Sequence, residues 1–163
     1  MQPAAQSDTP ANAAAIAAAL GKIPSGLFVI AWRDGGQDRC MLASWVMQAG
    51  FSPPQVALAV ASSRELLPAL DHGLAVAISV LAESQRGLVA RFAKPGADAF
   101  VGLDVVRTAS GAAAVADAAA WMECRPTARV SHGDHVVVLA EVLAGGGTGA
   151  EPVIHIRKNG MRY

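Results

Sequence analysis

Apolar residues along this chain fall in short blocks, separated by glycine, proline, aspartate and serine. Leu27-Phe28-Val29-Ile30-Ala31-Trp32 is a continuous apolar run of strand length, and Asp34-Gly35-Gly36 after it supplies turn chemistry. Residues 41–47 and 55–61 predict a second and a third strand. Between them Pro53-Pro54 cannot donate to a ladder, so the connection must be an edge or a bend. Residues 74–81 are too short and too β-branched for a helix and predict a central strand. Two long strands, 119–130 and 136–143, flank a Ser131-His132-Gly133-Asp134 hairpin turn, and residues 152–156 predict a last strand.

Helical signals are fewer. Asn12 is placed to cap an alanine-rich helix over 13–20, ended by Gly21 and Pro24. Residues 63–70 predict a short helix. Residues 83–92 predict another, with Leu88, Val89 and Phe92 on one face, closed by Lys94-Pro95-Gly96. Residues 98–116 are ambiguous: Val101, Val105 and Val106 suggest short strands, and Ser110-Gly111 marks a turn. Residues 145–149 read as a flexible glycine loop. Residues 1–10 predict a flexible N-terminus and 11–163 a single domain. Long helices do not alternate with the strands, so a doubly wound parallel sheet is disfavoured. The expected fold is mainly β with short helices, a small Greek-key barrel whose closure removes exposed edges.

Composition narrows this further. The chain has 163 residues, 53% of them hydrophobic and 16% charged, enough for one well-buried core. Much of the apolar share is alanine, and a core poor in large side chains leads us to expect a homodimer. Thirteen basic residues balance thirteen acidic ones, so the basic footprint of a nucleic-acid binder is missing. Cys40 and Cys124 fit neither a metal spacing nor a disulfide framework, and reduced thiols suit a cytoplasmic protein. No apolar run has the length of a membrane span, and no basic stretch precedes residues 11–20 to make a signal peptide.

The chain lacks GxGxxG after a strand, GxxxxGK[ST] and GxSxG. The four histidines form no zinc set, so no metal is expected. A nucleotide would have to be held in another way.

Motifs in order supply one. Gly26-Leu27-Phe28-Val29-Ile30, Leu42-Ala43-Ser44-Trp45, Phe51-Ser52-Pro53-Pro54, Ala77-Ile78-Ser79-Val80-Leu81, Gln85 with Arg91-Phe92-Ala93, Glu123-Cys124 and Gly133-Asp134-His135 follow one another. The chain ends on His155-Ile156-Arg157-Lys158-Asn159-Gly160-Met161-Arg162-Tyr163. This series resembles the flavin reductase family, from Pro24 to the C-terminus. It is closest to the subgroup fused to flavodiiron proteins and high-molecular-weight rubredoxins. Ser52-Pro53 departs from the usual pattern in lacking an acid. Ser79 stands for a common asparagine, and Arg39-Cys40-Met41 for a glycine-rich run.

The resemblance implies a homodimeric FMN-binding split barrel that passes hydride from NAD(P)H to FMN, or to FAD. A monooxygenase, flavodiiron or rubredoxin-type protein would be the acceptor. It implies that Leu42, Ala43, Ser44 and Trp45 line the isoalloxazine ring. Ser62, Ser63 and Arg64 would meet the phosphate, a task their donors suit. Ser79, Val80 and Leu81 would face the ring or ribityl chain, and Arg91 and Phe92 would complete the phosphate end. His135 is the expected catalytic residue, near flavin and nicotinamide. Without the resemblance, Arg64 and Arg91 read equally as solvated helix charges, Ser44 as a core hydroxyl, and His135 as a histidine bonded to its own turn. The alternative function is a non-catalytic module binding FMN or another flat ligand.

Overall fold

The computed structural model describes residues 9–161 except Pro95, Ala97 and Asn159, and for His132 its backbone alone. The expected flexible segment up to residue 8, and Asn159, Arg162 and Tyr163 of the closing motif, lie outside the described residues.

The first helix, α1 (Pro10–Leu20), begins earlier than expected. Thr9, not Asn12, is its cap: the Thr9 hydroxyl accepts the Asn12 amide at 3.3 Å. Pro10 suits the first helical position, where its missing N–H costs nothing.

Nine strands follow among the described residues. These are β1 (Phe28–Asp34), β2 (Gln37–Ala43), β3 (Val46–Phe51), β4 (Pro54–Ala61), β5 (Val76–Val80), β6 (Val105–Arg107), β7 (Ala113–Val115), β8 (Ala120–His132) and β9 (His135–Gly146). Seven form one sheet in the order β2-β1-β5-β8-β9-β4-β3, with every pairing antiparallel. β6 and β7 make a separate ribbon, resolving the ambiguous stretch; Val101 lies in a turn before it.

The strand expected over 41–47 is two strands. Ala43 pairs with Phe28 of β1, whereas the Trp45 carbonyl accepts the Ala59 amide of β4 at 3.0 Å. The chain therefore changes partners at Ser44. Because β2 and β3 are the two ends of the sheet order, this short link draws its opposite edges together: consecutive Cα atoms are only ~3.8 Å apart. The sheet is rolled, with a seam at Ser44-Trp45. Pro53-Pro54 turns the edge hairpin β3–β4, where missing donors are tolerated.

The expected glycine loop is partly strand. Gly145 and Gly146 pair with Met122 and Trp121. A Cβ on Gly146 would lie 3.1 Å from the Trp121 indole nitrogen, and one on Gly147 would lie 2.5 Å from the Ala119 carbonyl oxygen. These glycines admit close packing. Residues 152–156 form two isolated bridges, Ser25 with His155 and Ala82 with Pro152, instead of a strand.

Two large clusters of buried side chains sit on the two faces of the sheet, and Ala77, Ala112 and Ala114 form a third, small one. α2 (Leu66–Asp71) buries Leu66, Leu67 and Leu70 against Ile30, Leu58, Val60, Ile78 and Val138. Each such side chain contributes about 1.5–3 kcal/mol by leaving water. On the other face, Val29, Cys40, Leu81 and fully buried Phe92 pack together. Phe92 comes from α3 (Val89–Ala93), which continues a 3-10 turn over Glu83–Leu88. The Gln85 side chain accepts the Ala82 amide at 3.0 Å and holds the start of that turn.

Candidate functional site

A cavity of about 830 Å³ opens at the seam. That volume lies in the range of small-molecule and cofactor sites. Its wall includes Leu42 and Ala43 at the end of β2, Ser44 and Trp45 of the link to β3, and Ala59 and Ala61 from the adjoining β4. The alternation of β4 explains that pairing. Val56, Leu58 and Val60 point into the core, so Ala57, Ala59 and Ala61 occupy the other face. Their small side chains let a flat ligand approach the backbone. Phe92 and Val89 of α3 form an apolar side, and Arg64 stands at the exit of β4.

A further part of the wall is the segment His155, Ile156, Arg157 and Lys158, together with Arg86. Arg157 donates to the Ser44 hydroxyl at 2.7 Å, and its guanidinium carbon lies 4.5 Å from the Trp45 ring centroid. The distance is that of a cation–π contact. Arg86 donates to both Glu83 oxygens and to the Ile154 carbonyl at 3.2 Å, pinning the segment to the 3-10 turn. Burial, then the neighbouring Arg157 and Arg86, holds the His155 imidazole below its ordinary pKa, which favours its neutral form. Among the described lining residues are Arg64, Arg86, Arg157 and Lys158 and no carboxylate, with Arg86 already paired to Glu83 behind the wall. The donor set suits an anionic, phosphate-bearing ligand, and the small apolar floor suits a flat ring.

Of the expected site residues, Leu42, Ala43, Ser44, Trp45, Arg64 and Phe92 come together at this cavity. The others lie elsewhere. Ser62 turns away: its amide and hydroxyl both donate to the Asp134 carbonyl, at 2.9 and 3.0 Å, tying β4 to the β8–β9 hairpin. Ser63 is exposed beside it. Ser79 is fully buried, and its hydroxyl accepts the Val115 amide at 3.0 Å. Its neighbour Leu81 is fully buried in the core beneath Phe92, and Val80 packs against the opposite core. Arg91 donates to the carbonyls of Asp98 and Val101, closing the turn after α3.

His135 stands behind the wall. Its ring centroid is 4.8 Å from that of Trp45, and its Nδ1 lies 2.9 Å from the Asp134 carboxylate. That pairing, first through the hydrogen bond and then through charge, keeps Asp134 below the usual aspartate range.

Arg86, His155, Arg157 and Lys158 also line the cavity and were not among the expected site residues. The closing His-x-Arg-Lys motif was the available signal for three of them, since consecutive basic residues there have no helix to solvate.

These features define a rolled antiparallel β domain with a cation-rimmed, apolar-floored cavity at its seam. The chain belongs to the flavin reductase like domain family, whose model matches residues 20–161. It is 35% identical over 151 residues to diflavin flavoprotein A 1 of Synechocystis sp., covering 89% of this chain and 26% of that protein. The chain thus spans about a quarter of the length of the diflavin flavoproteins it matches. It is 31% identical over 144 residues to actinorhodin polyketide dimerase of Streptomyces coelicolor, covering 88% and 76% of the two chains. Among solved structures, the NADH:FAD oxidoreductase SgcE6 of Streptomyces globisporus, in complex with NAD and FAD fragments, superposes with a TM-score of 0.81 at 28% identity. That match covers 97% of this chain and 94% of the other.

Proposed function

We propose that this chain is an NAD(P)H-dependent flavin reductase that binds FMN, or FAD, in the seam cavity. Electrons then pass to a monooxygenase, flavodiiron or rubredoxin-type acceptor. One observation carries the reading: the motif residues Leu42, Ala43, Ser44 and Trp45 converge with Arg64 and Phe92 on a single cavity, in a chain of this family. Bound flavin would supply a ring that accepts hydride from nicotinamide. The chain's own residues would position it. Ala43, Ala59 and Ala61 admit the ring, and Arg64 or the Arg86–Lys158 side meets phosphate. Trp45, backed by His135, forms one flank of the slot.

The proposed assembly is a homodimeric split barrel. The face of the sheet carrying Ala59 and Ala61 continues through Met47, Ala57, Leu139 and Ala128, and through Val137 and Val130, which are direct neighbours in register. Met47 is 67% exposed and Val130 66%, an apolar surface of the kind a second subunit covers. The cavity opens beside this surface, so a partner subunit would complete its wall. No described helix is long and apolar enough to cross a membrane, and we propose a cytoplasmic location.

Anaerobic titration of the purified protein with FMN, then NADH or NADPH, tests the function. Bleaching of the visible flavin band by a nicotinamide is expected. Flavin bound but never reduced would replace this reading with that of a binding module, and absence of flavin binding would remove both.

A further inference from the structure

We infer that Arg157 makes the cavity hold reduced flavin more tightly than oxidised flavin; this rests on the flavin reading above. Arg157 reaches the cavity wall from the C-terminal segment. A hydroxyl and an indole face hold it there: Ser44 at 2.7 Å and Trp45 at 4.5 Å. Ser44 is itself buried, so the guanidinium is fixed against the rolled sheet and not left on a swinging side chain. The segment carrying it is anchored on both sides of the residue. His155 exchanges backbone hydrogen bonds with Ser25, and the Gly160 amide donates to the Ala17 carbonyl at 3.0 Å.

A fixed cation distinguishes ligands by charge. Hydride transfer moves two electrons and one proton from NAD(P)H to the flavin. The nicotinamide leaves as NAD(P)+ and the ring gains one net negative charge. Arg157 packs against the short link, Ser44-Trp45, that would flank the ring, so the added charge would develop beside it. In a partly desolvated cavity that attraction is stronger than in water. Affinities for the two redox states and the midpoint potential of the bound flavin form a closed cycle, so a preference for the reduced form raises the potential. The consequence for turnover is direct. Reduced flavin stays until its electrons leave, and oxidised flavin exchanges.

The test compares the full chain with its Arg157→Gln and Arg157→Lys variants. Oxidised FMN is titrated by absorbance. Dithionite-reduced FMN is titrated anaerobically by quenching of tryptophan fluorescence, and the midpoint potential of bound FMN is read against a reference dye. The wild-type chain is expected to bind reduced FMN at least about tenfold more tightly than oxidised FMN. Arg157→Gln should lose about tenfold of that ratio, equivalent to a fall of ~30 mV for a two-electron couple. Arg157→Lys should keep most of it, and riboflavin should show the same pattern as FMN.

Equal weakening of both redox states by Arg157→Gln, seen with FMN but not riboflavin, would overturn the inference and make Arg157 a phosphate contact. An unchanged ratio would overturn it as well. Failure of the wild-type chain to bind either flavin would overturn the flavin reading itself. Should Arg157→Gln not fold, Ser44→Ala, which releases one hold on the guanidinium, is expected to lower the ratio in the same direction. No change in that variant counts against the inference.

Discussion

The Trp45 indole and the His135 imidazole stand with ring centroids 4.8 Å apart and planes tilted by 51°. One residue comes from the link that joins the sheet's two edges, and the other from the first position of β9. The hairpin histidine therefore bears on the cavity through Trp45, with Asp134 on its other side.

His135→Ala removes that backing and any imidazole contact to nicotinamide or flavin. Flavin reduction by NADH is expected to slow by about tenfold, or ~1.4 kcal/mol in the barrier, with the fold intact. Anaerobic stopped-flow at saturating flavin measures it, and an unchanged rate would exclude His135 from the reaction.

Ser79→Ala tests a different role. The Val115 amide would lose its acceptor in a fully buried setting, at a cost of about 1–3 kcal/mol. FMN affinity should be unchanged, because Ser79 is absent from the cavity wall. Urea unfolding and a flavin titration on the same preparation separate the two effects.

The contrast between these residues shows how much could be read from the chain alone. Strand positions came from apolar runs, and β1, β4, β5, β8 and β9 lie close to where those runs placed them. The resemblance singled out the Leu42–Trp45 stretch, which lines the cavity, but its break at Ser44 was not legible. A change of strand partner is a tertiary event, and apolar periodicity runs straight through it. Ser79, expected at the ring or ribityl chain, accepts the Val115 amide here, a tertiary contact that no local pattern announces. Arg157 is visible in the sequence only as part of the closing motif, because 113 residues separate it from Ser44 and hide their contact.

Glu123 gives a pH prediction. Burial pushes its carboxyl up, but hydrogen bonds from Ser110, Thr108 and Ala109 outweigh this and leave it below the ordinary glutamate value. The Ser110 amide donates to it at 2.8 Å. The unfolded chain therefore takes up the proton first as pH falls. The stabilisation is complete above the unfolded glutamate pKa of about 4.3 and is lost as pH drops through the lower folded value. Urea melts over this range should show a shallower acid slope for Glu123→Gln than for the wild-type chain. Identical slopes would rule this residue out.

Both thiols should be inert in the folded protein. Burial, and then Asp38, pushes Cys40 up to about 11; burial, and then Glu123, pushes Cys124 up to about 12. Reaction with a disulfide reagent at neutral pH is expected only after denaturation, when both titrate. Rapid modification of either native thiol would contradict the packing described.

Val137→Arg places a charge at the centre of the apolar sheet face, between Ala59 and Val130. The variant should sediment as a monomer where the wild-type chain sediments as a dimer. Flavin affinity should fall with it if a second subunit completes the cavity. Wild-type sedimentation as a monomer would remove the proposed assembly.

The seam at Ser44-Trp45 has a mechanical side. Among the described residues β2 hydrogen-bonds to β1 alone in the sheet, and β3 to β4 alone. The two edges meet without zipping together, so backbone groups along the gap remain available to a ligand lying across it. A flavin seated there would act as a missing rung, bridging both edges of an incompletely closed cylinder. Occupancy should then be felt along the whole circumference, as slower amide exchange in β2 and β3 as well as at the residues that touch the ring.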